Sequence, residues 1–156
     1  MGKNIKTIGI LGGTGALGSG LSYRLGKEGY QILIGSRNQE KASKKVNEIN
    51  KRLNHEKVSV ESNYLAAEKS DLTILAVPFS NHLAIVKEIA PVVQNKIILD
   101  TTVPLVPPKV ARVQLPEYGS VAKKTQELLG NEVRVVSAFQ NVAAVSYTHL
   151  TLPTSD

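Results

Sequence analysis

Residues Gly12-Gly13-Thr14-Gly15-Ala16-Leu17-Gly18, "GGTGALG", follow the β-rich run Thr7–Leu11 and open a helical pattern. Within them Gly13, Gly15 and Gly18 make the G-x-G-x-x-G spacing. Each glycine has a mechanical reading. Gly13 permits a tight turn, Gly15 lets the main chain approach a pyrophosphate, and Gly18 lets the helix pack closely on the strand. The helix N-terminus then faces the anion. The spacing alone is weak; a strand before it, a helix after it and the start of a βαβ unit turn it into a nucleotide-binding reading rather than a bare structural turn.

Outward from this loop, Thr7–Leu11, Gln31–Gly35, Val58–Glu61, Leu72–Val77, Ile97–Asp100 and Val133–Ser137 read as six strands alternating with helical segments. Such alternation predicts an α/β fold, a doubly wound parallel sheet of the Rossmann kind. Leu17, Leu21 and Leu25 recur at i, i+4, i+8, and Leu83, Val86, Ile89 and Ala90 share a second helical face, so each stripe is expected to cover the sheet. Residues Val103–Pro116, with Pro104, Pro107, Pro108 and Pro116, read as a long rigid loop before a helix at Val121–Leu129. Loops of that length are often functional.

The second strand runs into Ile34-Gly35-Ser36-Arg37-Asn38-Gln39-Glu40-Lys41, "IGSRNQEK". Ser36 and Arg37 fall about 20 residues beyond the glycine loop, where a dinucleotide site meets the adenosine ribose. A carboxylate there would accept from a free 2′-hydroxyl and repel a 2′-phosphate. Ser36 instead offers a hydroxyl donor, and Arg37 a planar fork of donors with a fixed charge. Lys41, one helical turn on, adds a third contact. This pattern selects NADP.

The chain of 156 residues is the size of one ordinary domain, and its 42% hydrophobic content is enough for a core. No apolar run reaches a membrane span and the N-terminus has no signal-peptide pattern, so no membrane association and a cytoplasmic location are expected. The absence of cysteine excludes disulfides and thiol catalysis. The net charge of +6 is spread through segments such as "KASKKVNEINKR", and aromatic residues for base stacking make up only 4%. Such charge is mostly a solvated face, and no nucleic-acid partner is expected.

Two local matches are set aside. Tyr23 and Lys27 fit Y-x-x-x-K, the pair of short-chain dehydrogenases, yet they fall in the first helix, directly behind the phosphate loop. Tyr118 is nearer the right place, but Ala122 stands where the lysine should. The last twelve residues, "VSYTHLTLPTSD", resemble a translated sequencing-library adapter. A nucleotide domain at 1–144 and a non-native tail at 145–156 are therefore expected, with Tyr147 and His149 outside any chemistry.

Taken together, "ILGGTGALGSGLSYRLGKEGYQILIGSRNQEKA", "DLTILAVPF", "ILDTTVPLVPP" and "VVSAFQNVAA" resemble the NADPH-dependent coenzyme F420 reductases. The first block is the specific one, because G-G-T-G and G-S-R-x-x-x-K occur together; the others are shared with related reductases such as pyrroline-5-carboxylate reductases. The resemblance implies that Thr14, Gly15, Ala16 and Leu17 meet the pyrophosphate, beside Gly13 and Gly18, and that Ser36, Arg37 and Lys41 meet the 2′-phosphate. It also implies that Ala76, Val77 and Pro78 pass beside the cofactor, with His82 at the start of the next helix. Thr102, Val103 and Pro104 would approach the nicotinamide, and the segment from Ser137 through Asn141 and Val142 to Ala144 would meet the deazaflavin. His82 has a second reading as a satisfied helix-start histidine. Gln140 stands where some relatives have histidine, so no acid role is assigned to it. The family continues into a further segment closing the deazaflavin pocket, and its members commonly pair through such segments, so a homodimer at full length is the partner the resemblance allows.

The implied activity is an oxidoreductase reaction, hydride transfer between NADP and coenzyme F420. The cofactors carry that chemistry, so no catalytic side chain is nominated and no metal is expected. Other readings of the same domain are a different NADP-dependent reductase, acting on an imine or a metal ion, and an NADP-binding sensor.

Overall fold

Ile8 and Ile10 alternate with Gly9 and Leu11 along the first strand, and this period-2 pattern places two apolar faces on a strand buried from both sides. The computed structural model describes residues 4–105 and 116–141. Its strands are β1 (Thr7–Leu11), β2 (Gln31–Gly35), β3 (Val58–Glu61), β4 (Leu72–Leu75), β5 (Ile97–Asp100) and β6 (Arg134–Ser137). All pair in parallel in one sheet of order β3-β2-β1-β4-β5-β6. The chain winds outward from β1 through β2 to β3, then crosses back to β4. The expected doubly wound sheet is the one observed, with its switch point between β1 and β4.

Helices α1 (Ala16–Lys27) and α2 (Gln39–Leu53) cover one face, where Ile8, Ile10, Ile32 and Ile34 pack with Leu21, Val46 and Ile49. Helices α3 (Asn63–Lys69), α4 (Phe79–Ile89) and α5 (Val121–Leu129) cover the other, around Leu11, Leu75, Val86, Ile89 and Ile98. Leu21, Val86 and Ile89 are buried as their stripes require, whereas Leu17, Leu25 and Leu83 are only half-buried. A short 3-10 turn over Ala90–Val92 follows α4. The fourth strand stops at Leu75, two residues before its expected end, because the chain turns there into the crevice described below. Of the expected loop Val103–Pro116, residues 106–115 lie outside the described part, as do Val142, Ala144 and the expected tail at 145–156.

The Y-x-x-x-K match has a structural explanation. Arg52 of α2 lies 4.9 Å from the Tyr23 ring centroid, so the ring is a platform for a cation between two helices. Among the described residues no helix is long and apolar enough to cross a membrane. Among the described residues the α1/α2 face is not fully covered: over β4 and β5 an apolar groove of about 190 Å³ is lined by Leu25, Tyr30, Leu72, Ile74, Leu99 and Phe139, among others. Beyond it, Val136 of β6 is 46% exposed.

Candidate nucleotide site

The parallel register puts Gly35, Leu11, Leu75, Asp100 and Ser137 in one row across five strands. The segments after those residues therefore emerge side by side at the carboxyl edge, where open α/β sheets bind ligands. Between the ends of β2, β1 and β4 they enclose a crevice of about 220 Å³. Thr14, Ser36, Arg37, Lys41, Val77 and Pro78, all expected site residues, line it. Gly12, Asn63, Asn81 and Ile85 line it too and were not expected. The two asparagines carry no spacing signal; Asn63 reaches the crevice from α3, a seven-residue helix set by the Ser62 cap and by its packing rather than by periodicity.

The glycines divide their roles differently from the sequence expectation. The left-handed backbone of the turn belongs to Gly12 (φ +81), and a Cβ there would stand 2.3 Å from the Ala76 carbonyl oxygen. Gly13 has no left-handed backbone; it is confined by packing, since a Cβ would meet the Ile34 side chain at 2.8 Å. Gly18 behaves as expected, because a Cβ would fall 2.5 Å from the Gly12 carbonyl oxygen and push α1 off the loop. Gly15 is different. It is extended (φ −75, ψ 171), and the nearest atom to an added Cβ is the Gly12 oxygen at 3.4 Å. Neither conformation nor packing requires glycine at that exposed position, so the space beside it is open to a ligand.

Helix starts reinforce this geometry. Side chains of Asn38, Ser62 and Ser120 cap α2, α3 and α5. No side chain caps α1, at Gly15, or α4, at Pro78. The first-turn amides of α1 have no intrahelical partner, the Asn81 amide in the first turn of α4 bonds back to the Pro78 carbonyl at 3.0 Å, and both helices begin at the crevice end of the sheet, with the positive end of each dipole there.

On the opposite wall Arg37 and Lys41 are exposed, and neither side chain has an ion-pair or hydrogen-bond partner among the described residues. Glu40, between them, pairs instead with Lys44 at 2.8 Å. Two free cations thus stand together at the end of β2. Ser36 is engaged locally: its hydroxyl donates to the Asn38 carbonyl (3.1 Å) and accepts from the Asn38 amide (3.2 Å). Donation to a phosphate requires only that the hydroxyl proton rotate away from the Asn38 carbonyl, the bond from the Asn38 amide staying in place.

His82, expected beside the cofactor, is placed elsewhere and does not line the crevice. It is 0% exposed, and its Nε2 donates to Asp100 Oδ2 at 2.8 Å. Thr125 Oγ1 donates to the same oxygen at 2.7 Å, and the Thr102 amide to Oδ1 at 3.0 Å. Burial pushes the Asp100 carboxyl up, but the His82 hydrogen bond and charge, with the Thr125 and Thr102 bonds, outweigh it and hold it below the usual carboxylate value. A carboxyl held down in the fold contributes stability above its unfolded pKa, and that contribution is lost as pH falls through the folded value. The satisfied-histidine reading holds for Nε2 only, since Nδ1 is buried without a partner among the described residues. Thr102 Oγ1 is buried and partnerless in the same way. Such a hydroxyl costs about 1–3 kcal/mol unless something pairs with it.

Val103 is half-buried and Pro104 buried beside Thr102. After β6, Phe139 has φ +69, a left-handed conformation that costs a bulky residue on the order of 1–3 kcal/mol. Gln140 Nε2 donates to the Asp100 carbonyl (2.9 Å) and to Ser137 Oγ (2.7 Å), so it braces this loop. Asn141 is exposed at its end, and Ala16, Leu17 and Ala76 stand next to the crevice residues without lining it.

A family model described as NADP oxidoreductase coenzyme F420-dependent matches residues 7–104. An F420-dependent NADP reductase of Methanocaldococcus jannaschii is 42% identical over 143 residues, spanning 86% of this chain and 63% of that protein. One from Methanothermobacter marburgensis is 36% identical, spanning 94% of this chain and 68% of its own length. The chain thus spans about two-thirds of the length of these curated relatives. Among solved structures, a putative F420-dependent NADP-reductase from Arthrobacter sp. FB24 superposes with a TM-score of 0.75 at 22% identity, over 91% of this chain and 65% of that one. A pyrroline-5-carboxylate reductase from Coxiella burnetii gives 0.58 at 17%, over 86% and 43%. These two likenesses concern the fold.

Proposed function

The chain belongs to the coenzyme F420-dependent NADP oxidoreductase family, and on that premise we propose that it carries the NADP half of an enzyme passing a hydride between NADP(H) and coenzyme F420. The observation that carries the reading is the pair of unpartnered cations, Arg37 and Lys41, on one wall of a crevice that also takes in the glycine turn at Gly12 and Thr14.

The residues fit the groups assigned to them. Thr14, the exposed edge of Gly15 and the free amides of Ala16, Leu17 and Gly18 take the pyrophosphate. Arg37 and Lys41 take the 2′-phosphate, with Ser36 once its hydroxyl proton turns from the Asn38 carbonyl. Val77 and Pro78 wall the cofactor, next to Ala76. Thr102 offers its partnerless hydroxyl to the nicotinamide end, beside Val103 and Pro104, and the braced loop 137–141 faces the deazaflavin. When bound, the two rings supply the redox chemistry itself. The protein's part is to hold them face to face and keep water out, turning a bimolecular encounter into an oriented one. A cytoplasmic location and homodimer formation belong to the same proposal, through family membership.

Titrating this chain with NADPH and with NADH tests the nucleotide half. A charge-assisted contact worth about 1.5–3 kcal/mol gives NADPH the tighter binding by about 10- to 100-fold. Equal affinities remove the assignment of Arg37 and Lys41.

A further inference from the structure

Asp100 ends β5 and is 1% exposed. Three of its oxygens tie four separate segments together. Oδ2 accepts from His82 of α4 and Thr125 of α5, and Oδ1 from the amide of Thr102. The main-chain oxygen accepts from the Ala138 amide at 3.2 Å and from Gln140 Nε2 at 2.9 Å. Ala138 and Gln140 flank Phe139, so the left-handed residue is bracketed by two bonds to one carbonyl. Thr102, held by the side chain, carries the buried hydroxyl that nothing among the described residues satisfies.

We propose that Asp100, held by His82 and Thr125, is a positioning residue: its carboxylate fixes the turn at Thr102 and its carbonyl fixes the loop 138–140, so one strand end sets the separation of the two ring-binding segments. The inference rests on the hydride-transfer reading, which assigns the nicotinamide to the first segment and the deazaflavin to the second. Asp100 itself lines neither the crevice nor the apolar groove. It acts through the residues it holds.

The test is Asp100→Asn in the whole chain, read by ligand affinity and by amide exchange. An amide has one oxygen and no charge, so it cannot accept at both positions: with its oxygen on the Thr102 amide that bond loses its charge assistance, and His82 and Thr125 stay bonded only by reversing to accept from the amide nitrogen. NADPH binding is expected to weaken about tenfold, one hydrogen bond's worth. Binding of 2′,5′-ADP, which has no nicotinamide, should stay within about twofold, with faster exchange at the Thr102 amide; the Ala138 amide, bonded to the main-chain oxygen that the substitution keeps, is the internal reference. Equal weakening for both ligands marks a merely structural network and overturns the proposal. So does no change in either affinity or exchange. If Asp100→Asn does not fold, Thr125→Val removes one donor to Oδ2, keeps the side-chain shape, and is judged by the same two ratios. A wild-type chain that binds 2′,5′-ADP no better than 5′-AMP sinks the NADP reading instead, and the exchange at Thr102 still decides the role of Asp100.

Discussion

Gly12→Ala is expected to destabilise the chain by about 2–5 kcal/mol, whereas Gly15→Ala, three residues on in the same loop, leaves stability unchanged and loses the ligand. Forcing a side chain into left-handed backbone costs about 1–2 kcal/mol, and overpacking adds about 1–3 kcal/mol. At Gly12 both apply, since φ is +81 and the Ala76 oxygen stands 2.3 Å from the new Cβ. Against a total stability of about 5–15 kcal/mol this is a large fraction, and the thermal midpoint should fall by roughly 10 °C. At Gly15 neither applies. The backbone is extended and the nearest atom is 3.4 Å away, so the methyl group only fills space beside the uncapped start of α1. Thermal unfolding and NADPH titration of the two variants separate these effects. NADPH affinity for Gly15→Ala should drop at least about tenfold, the loss of one good hydrogen bond to an anion. Wild-type affinity in that variant removes the pyrophosphate from the glycine loop.

Arg37→Ala is expected to weaken NADPH about 10- to 100-fold and leave NADH nearly unchanged, because only NADPH presents a 2′-phosphate to the guanidinium. Arg37 has no partner to leave stranded among the described residues, so the change should not disturb the fold. Ser36→Asp should move the preference further towards NADH. It places a carboxylate against the phosphate and offers the ribose an acceptor. Equal losses for both nucleotides in Arg37→Ala would remove the charge from the specificity account.

Much of this was legible before any coordinates, and the reasons differ by residue. β1, β2, β3 and β5 have the bounds their β-rich runs predict, and the cations at Arg37 and Lys41 fall into one crevice because a strand end and the next helical turn are adjacent wherever that pattern occurs. α3 was not legible: seven residues give no period, and its helix is made by the Ser62 cap and by packing close enough on β1 that a Cβ at Gly9 would reach the Ala66 carbonyl oxygen at 2.7 Å. The motif spacing assigned the tight turn to Gly13, but which of two adjacent glycines turns depends on where Ala76 and Ile34 stand, and those come from other strands. Asp100 was the largest omission. A single carboxylate at a strand end has no pattern around it, and only the register of β4, β5 and β6 brings His82, Thr125 and Gln140 to its oxygens.

The most direct test of the central claim mixes NADPH and F420 with the protein at its relatives' full length and follows the deazaflavin absorbance. The account predicts that oxidised F420 disappears in step with NADPH, and that reduced F420 returns the hydride to NADP in the reverse mixture. Tight NADPH binding with neither F420 reduction nor oxidation of its reduced form would contradict it.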